Sequence, residues 1–254
     1  MNFQIDAEAG HAAEEPHAPI RLTAAGPGRA DIVLRPINLD DTPFLQELYA
    51  STRFDELRVT PWTDVERRAF CDSQFALQDT YYRQTYPHAR YDVIEVTGRP
   101  VGRFLVATGP DAAVVLDIAL TPAERGRGLG ATLLRWQQAR AAAGGQAVTL
   151  MVEPLSRAEH LYERLGFRQR TDGELHREMI WRAKAVGEEA LTQFLDLALD
   201  DPDLRADLGS AQTDADLTDG AIALGLACGL AFGPENVVDA LRTRRRAWLE
   251  RAIR

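Results

Sequence analysis

Residues 112–145, AAVVLDIALTPAERGRGLGATLLRWQQARAAAGG, decide the fold. The run starts as an apolar, β-branched strand and passes over Arg125-Gly126-Arg127-Gly128-Leu129-Gly130 into an Ala- and Leu-rich helix that Gly144-Gly145 closes. Glycines at such a junction permit a tight turn and let backbone N–H groups approach an anion closely. The helix N-terminus adds about half a positive charge facing it. Arg125 and Arg127 are able to add charge-assisted hydrogen bonds. The pattern predicts a phosphate-holding turn between strand and helix. No G-x-x-x-x-G-K-[ST] is present, and no G-x-G-x-x-G is followed about twenty residues on by an acid that closes a βαβ unit, which sets nucleoside triphosphates and dinucleotides behind.

Upstream, YDVIEV, VGRFLVAT and AAVVLDIAL read as an antiparallel meander separated by Gly98-Arg99-Pro100 and Gly109-Pro110-Asp111. Before them, DIVLRPIN reads as a strand and LDDTPFLQELYASTR as a helix. TDVERRAFCDSQFALQDTYYRQTY reads as a long amphipathic helix, stopped by Pro87, with Phe70, Gln74, Leu77 and Tyr81 along one stripe. Downstream come the strand AVTLMVE, the helix SRAEHLYERLG capped by Ser156, and strands around FRQRT and LHREMIWR. The order βααβββαβαββ over residues 31–183 predicts an α/β fold, a mixed sheet with helices on its faces. Residues 1–30 lack any period and read as a flexible arm. Residues 184–254 read as successive helices divided by Asp-, Gly- and Pro-containing turns, an all-α unit that is marginal alone.

Composition narrows the function. The chain has 254 residues, is 45% apolar and carries a net charge of −9. It is therefore expected to fold around a sizeable core and not to bind nucleic acid in general, because phosphate backbones are held by clustered Lys and Arg. The start of the chain has neither a basic n-region nor an apolar h-region, and no run approaches eighteen apolar residues, so a cytoplasmic protein without a membrane span is expected. Cys71 and Cys228 stand far apart and read as small buried hydrophobes. His88 and His160 read as surface or packing residues, and no metal is expected. Charge is uneven: residues 185–241 are acidic, and Arg242, Arg244, Arg245, Arg246, Arg251 and Arg254 make a basic end.

Two stretches carry a family resemblance. R-x-x-G-x-G after VVLDIALTPAE resembles the pyrophosphate-binding motif of the GNAT N-acyltransferases, and Ser156-Arg157-Ala158-Glu159-His160-Leu161-Tyr162-Glu163-Arg164-Leu165-Gly166-Phe167 resembles the family's N-x-x-A-x-x-L-Y-x-x-L-G-F segment. Ser156 stands where the family commonly has Asn, which puts a pantetheine or helix-cap contact onto a hydroxyl. The resemblance implies acetyl-CoA or a longer acyl-CoA as co-substrate, bound between the fourth and fifth strands of the predicted order where they splay. Backbone groups of Ile118, Ala119 and Leu120 then meet the pantetheine, and Arg125, Gly126, Arg127, Gly128, Leu129, Gly130 and Ala131 hold the pyrophosphate. Tyr162 occupies the place of the family's general acid. An attacking amine must be neutral, which calls for a proton acceptor. Asp117, an acid within the apolar run VVLDIAL, is the first candidate, as base or ammonium binder, with a structural hydrogen-bonding role as the alternative. Glu153 is a weaker one.

In the same family the acceptor is set by the first two helices, here residues 56–86, where Trp62, Gln74, Gln78 and Tyr82 are the candidate substrate-binding residues. A core role for the aromatic stripe is the alternative. The segment ALTQFLDLALDDPDLRADLGSAQTDADLTDGAIALGLACGLAFGPENVVDAL resembles the leader region of Nif-eleven-type peptide precursors, through Phe194-Leu195, the Asp201-Pro202-Asp203 turn and the exit into Pro234-Glu235-Asn236. That likeness implies a Lys or ornithine side chain of a leader-bearing precursor peptide as acceptor. The alternatives are a small-molecule amine, with the helices serving a homodimer, and a non-catalytic acyl-CoA sensor.

Overall fold

The computed structural model describes residues 17–23, 31–171, 173 and 176–252. Its main sheet has eight strands: β1 (Ile20–Thr23), β2 (Asp31–Pro36), β3 (Arg90–Val96), β4 (Arg99–Thr108), β5 (Ala112–Leu120), β6 (Ala147–Val152), β7 (Arg168–Thr171) and β8 (Arg177–Trp181). Their spatial order is β1-β2-β3-β4-β5-β6-β8-β7. Only β5 and β6 run parallel; every other neighbouring pair is antiparallel. The parallel pair demands a crossover, and α3 (Leu129–Ala143) supplies it. Helices α1 (Thr42–Leu57) and α2 (Asp64–Thr85) link β2 to β3, and α4 (Arg157–Arg164) links β6 to β7. The mixed α/β fold and the element order from residue 31 are those expected from the sequence.

The N-terminal arm is a correction. Residues 20–23 form a strand on β2, with Ile20 and Leu22 packed against the main core, and His17 meets the buried Asp92 at 2.7 Å. A four-residue strand beside Pro19 is too short to show a period, and pairing with β2 decides its state. Residues 1–16 and 24–30 lie outside the described residues.

Local chemistry accounts for the helix starts. A short 3₁₀ turn before α1 is closed by an Asn38/Asp41 capping box, and Asp41 accepts two hydrogen bonds from Arg35 at 2.7 Å each. Arg35 holds the Asp41 carboxyl below its usual range. Thr63 and Glu66 form a second capping box at α2. The α2 stripe expected from periodicity faces outward: Leu77 is 64% and Tyr81 58% exposed, while Cys71 and Phe75 are buried. The sheet-facing side of α2 is chemically mixed, because Gln78 and Tyr82 find polar partners there, so hydrophobicity alone selected the wrong face.

The C-terminal residues form β9 (Ala185–Val186), α5 (Gly187–Asp200), α6 (Pro202–Gly209), α7 (Asp214–Cys228), β10 (Leu230–Ala231) and α8 (Pro234–Ala252). The two short strands pair in parallel, so the unit is not purely helical. Its own core gathers around Phe194 and Phe232, whose rings lie 5.3 Å apart. It is also continuous with the main core: Leu226 and Ala231 are buried there beside Phe167 and Trp181, and the Trp181 indole N–H donates to Leu226 O at 2.8 Å. Gly166 sits at this seam with φ +83°, and a Cβ on it would fall 2.3 Å from Ala227 O. A substitution Gly166→Ala therefore meets both an unfavourable backbone conformation, costing about 1–2 kcal/mol, and a backbone clash. We expect it to lower unfolding free energy in urea by at least about 2 kcal/mol and to speed proteolytic cleavage near residue 184. Unchanged stability would show that the seam is not packed as described.

Candidate active site

The sheet is interrupted where the phosphate-type motif lies. The β5–β6 ladder runs from Ala112 opposite Ala147 to Val115 opposite Leu150 and then stops, whereas β4 stays paired with β5 as far as Leu120. The last five residues of β5 thus border a gap. A bulge at Leu116 breaks the register on the β4 side, between Val106 opposite Val115 and Leu105 opposite Asp117. Thr121 N–H donates to Val101 O at 2.8 Å. Because backbone direction alternates along a strand, Ala119 turns its polar groups toward β4, and Ile118 and Leu120 turn theirs toward the gap.

At the end of β5 the chain makes a 3₁₀ turn over Pro122–Glu124 and enters α3 through Gly126 and Gly128, at φ +73° and +85°. Among the described residues no side chain caps α3, which leaves the first N–H groups, those of Leu129, Gly130 and Ala131, directed at the mouth of the gap. The arginines serve the loop itself. Arg125 donates through Nε to Leu120 O at 2.9 Å and through Nη2 to Ser51 Oγ at 3.0 Å, and Arg127 donates to both Glu124 oxygens at 3.1 Å. The turn thus presents backbone amides rather than arginine side chains, Arg125 braces the loop against α1, and the Leu120 carbonyl is held by Arg125. Arg53 of α1 reaches Glu153, beyond β6, at 3.6 Å, so α1 touches both banks of the gap.

Tyr162 lies on α4 with its ring 5.8 Å from that of Phe167 and is 7% exposed. Burial, helped by the negative charge of Asp117, pushes its phenol up to about 12. It therefore keeps its proton across the neutral and mildly alkaline range. Ser156 accepts from Glu159 N–H at 3.2 Å and caps α4, which commits its hydroxyl oxygen to the helix. Glu159 in turn accepts from Leu155 N–H and from Arg177, at 2.6 and 2.8 Å, and fixes the loop between β6 and α4.

On the other face of β5, Asp117 is tied to Arg103 of β4, a residue that sequence reasoning did not single out. Arg103 is 4% exposed, donates to Gln78 Oε1 at 2.5 Å, and holds its guanidinium 5.7 Å from the Phe75 ring centre. Tyr82 donates to the bulge carbonyl, Leu116 O, at 3.0 Å, and burial with the Asp117 charge pushes its phenol up to about 12. Of the four candidate acceptor residues, Gln78 and Tyr82 join this cluster. Trp62 instead lies against Phe70 on the outer side, ring centres 5.2 Å apart, and Gln74 is half-buried on the same helix. The signal for Arg103 was available as a lone cation in the apolar run VGRFLVAT. Among the described residues, no group of three or more His, Cys, Asp and Glu side chains is arranged to hold a metal, and no helix is long and apolar enough to cross a membrane.

Replacing Arg103 by Met leaves the Asp117 carboxylate and the Gln78 carbonyl without their partner, at a cost of about 3–5 kcal/mol in unfolding free energy. Urea denaturation of Arg103→Met against the double variant with Asp117→Leu measures it. The double variant should recover most of the loss, and equal stability of all three proteins would contradict the buried pair.

No sequence match was found among curated proteins. Solved structures similar to this chain include the PaiA N-acetyltransferase of Thermoplasma acidophilum in complex with coenzyme A, at 15% identity and TM-score 0.45 over 59% of this chain and 97% of that one. An acetyltransferase of Thermus thermophilus is similar at 20% identity and TM-score 0.44, over 59% and 95% of the two chains. RimJ of Mycobacterium smegmatis in complex with CoA-disulfide is similar at 18% and 0.43, over 61% and 85%. Residues 87–169, from just before β3 into β7 and including the gap, the α3 entry and Tyr162, match the family model of the acetyltransferase (GNAT) domain.

Proposed function

We propose that the chain is an acyl-CoA-dependent N-acyltransferase that passes an acyl group directly to an amine. The observation that carries this reading is the gap between β5 and β6 opening beside the uncapped N-terminus of α3, within the segment that matches the acetyltransferase family. Those parts fit the co-substrate: the helix start suits a pyrophosphate, and the free edge of β5 at Ile118 suits the amides of a pantetheine arm. Bound acyl-CoA supplies a thioester. A neutral amine attacks its carbonyl carbon, the C–N bond forms and the C–S bond breaks, and the departing sulfur needs a proton as the amine nitrogen loses one. Tyr162 is the donor, because its raised pKa keeps the phenol protonated at working pH. Asp117, fixed by Arg103 and with its side chain 22% exposed, receives the acceptor ammonium or its proton. Tyr82 and Gln78 set the shape of that side.

The acceptor is read more finely as a Lys or ornithine side chain of a leader-bearing peptide. The support is the resemblance of the C-terminal helices to a leader region and their attachment to the catalytic part through Leu226 and Trp181. Removing residues 185–254 would strip Leu226 and Ala231 from the main core. The acceptor question is therefore put to the full chain, with peptides that carry or lack a leader.

Mass spectrometry after incubation with acyl-CoA donors from acetyl to palmitoyl should detect acyl addition to an amine, and the leader should raise the rate on peptides. Tyr162→Phe should lower kcat by about 10²-fold or more, with coenzyme A affinity unchanged. Because the Tyr162 pKa is raised, the wild-type rate should not fall from loss of this proton until the pH nears 12. Equal turnover of Tyr162→Phe would remove the acid. Bound coenzyme A without turnover on any amine would favour the sensor reading.

A further inference from the structure

We propose that the outward face of α2 is a self-complementary surface through which two copies of the chain associate, helix against helix and antiparallel. The face is apolar where a solvated helix would be charged. Val65 is 79%, Phe70 38%, Leu77 64% and Tyr81 58% exposed, and Trp62, 36% exposed, extends the patch by stacking at a tilt on Phe70. Large exposed apolar side chains collected on one helix, rather than scattered singly over the surface, mark an interaction site. Between the large side chains lie Ala69, Ser73, Ala76 and Thr80, all exposed and small enough to let a second helix come close. The Ser73 hydroxyl donates to Phe70 O at 2.8 Å within its own helix, so the centre of the face has its polar need met.

Charge selects the occupant. The flanking ions are neutralised within the chain: Arg68 is bound to Asp72 and Glu47, and Arg83 to Asp79. The patch therefore offers no surplus of either sign to a basic peptide or to an anionic polymer. In a protein of net charge −9, a neutral apolar face is where a second copy approaches with least repulsion. Orientation follows from the helix ends. Asp64 and Glu66 occupy the first turn and Arg83 the last. An antiparallel two-fold centred between Ser73 and Ala76 sets the acidic first turn of one copy beside the last turn of the other and opposes the helix dipoles favourably, whereas a parallel pair brings like ends together. Taking roughly 150–250 Å² for a large side chain, the exposed fractions sum to about 500 Å² per copy. Two copies bury at most about 1,000 Å², the lower end for a specific interface, which fits a weak, concentration-dependent dimer.

Sedimentation velocity on the full chain across the micromolar range tests this without reference to any activity. We expect a concentration-dependent dimer. Leu77→Glu, on an exposed site, should weaken it at least ten-fold with unchanged circular dichroism. Arg83→Glu, which sets an acid opposite the acidic first turn of the partner copy, should weaken it. A monomer at every concentration, or a dimer indifferent to Leu77→Glu, overturns the proposal. A dimer indifferent to Arg83→Glu overturns the antiparallel arrangement. A monomer in which Leu77→Glu abolishes binding of an acceptor peptide would assign the face to the acceptor and overturn it as well.

Discussion

Beyond Val115, β5 continues without a partner strand on its β6 side among the described residues, and the rest of the molecule answers to that interruption. A strand interior that leaves peptide groups unpaired is costly unless water or a ligand takes them. The cost is tolerated because β4 holds the other edge of β5 as far as Leu120 and the core behind is dense, with Phe104, Leu133, Leu134 and Phe167 almost wholly buried. The crossover through α3 then brings a second set of unpaired N–H groups, those of its first turn, to the same gap. Two backbone deficits converge on one opening. Such a place favours a ligand that is anionic at one end and extended and amide-bearing at the other.

The two faces of β5 divide the chemistry. Toward α3 and α4 lie the apolar core and Tyr162, where burial makes the phenol a weak acid that retains its proton. Toward α1 and α2 lies a buried cation, Arg103, whose charge is met by Asp117 and whose fork also engages Gln78. A charge at 4% exposure is sustained only by such pairing. The bulge at Leu116, braced by the Tyr82 hydroxyl, lets one strand present Asp117 on one side while its edge stays open toward β6. The C-terminal helices are part of the same construction, since Leu226 completes the core under Trp181 and Gly166 leaves the space for Ala227.

Much of this was legible in the sequence because backbone geometry constrains residue type. Gly126 and Gly128 adopt left-handed conformations that disfavour side chains, so the entry to α3 announces itself, and the alternation of apolar runs with turn residues determines the order of elements. Less legible were features that depend on partners distant in the chain. The Arg103–Asp117 pair joins residues whose separate runs each show one isolated charge, and neither run says that the two meet. The outward face of α2 is apolar and the inward face partly polar, the reverse of what periodicity implies, because the inward polar groups are satisfied by β4 and β5. Ile20–Thr23 has too few residues to signal a strand until β2 is beside it. The two arginines of the glycine-rich turn carry the charge expected of a phosphate site, yet their hydrogen bonds hold the loop and α1 together.

The central claim is that the edge of β5 and the start of α3 together form the coenzyme-binding surface. Hydrogen exchange of the full chain with and without coenzyme A measures this at the backbone itself. The account predicts slowed exchange at Ile118 and over residues 126–131, while α5 to α8 are unaffected. Binding of coenzyme A that leaves these amides exchanging as before would contradict it.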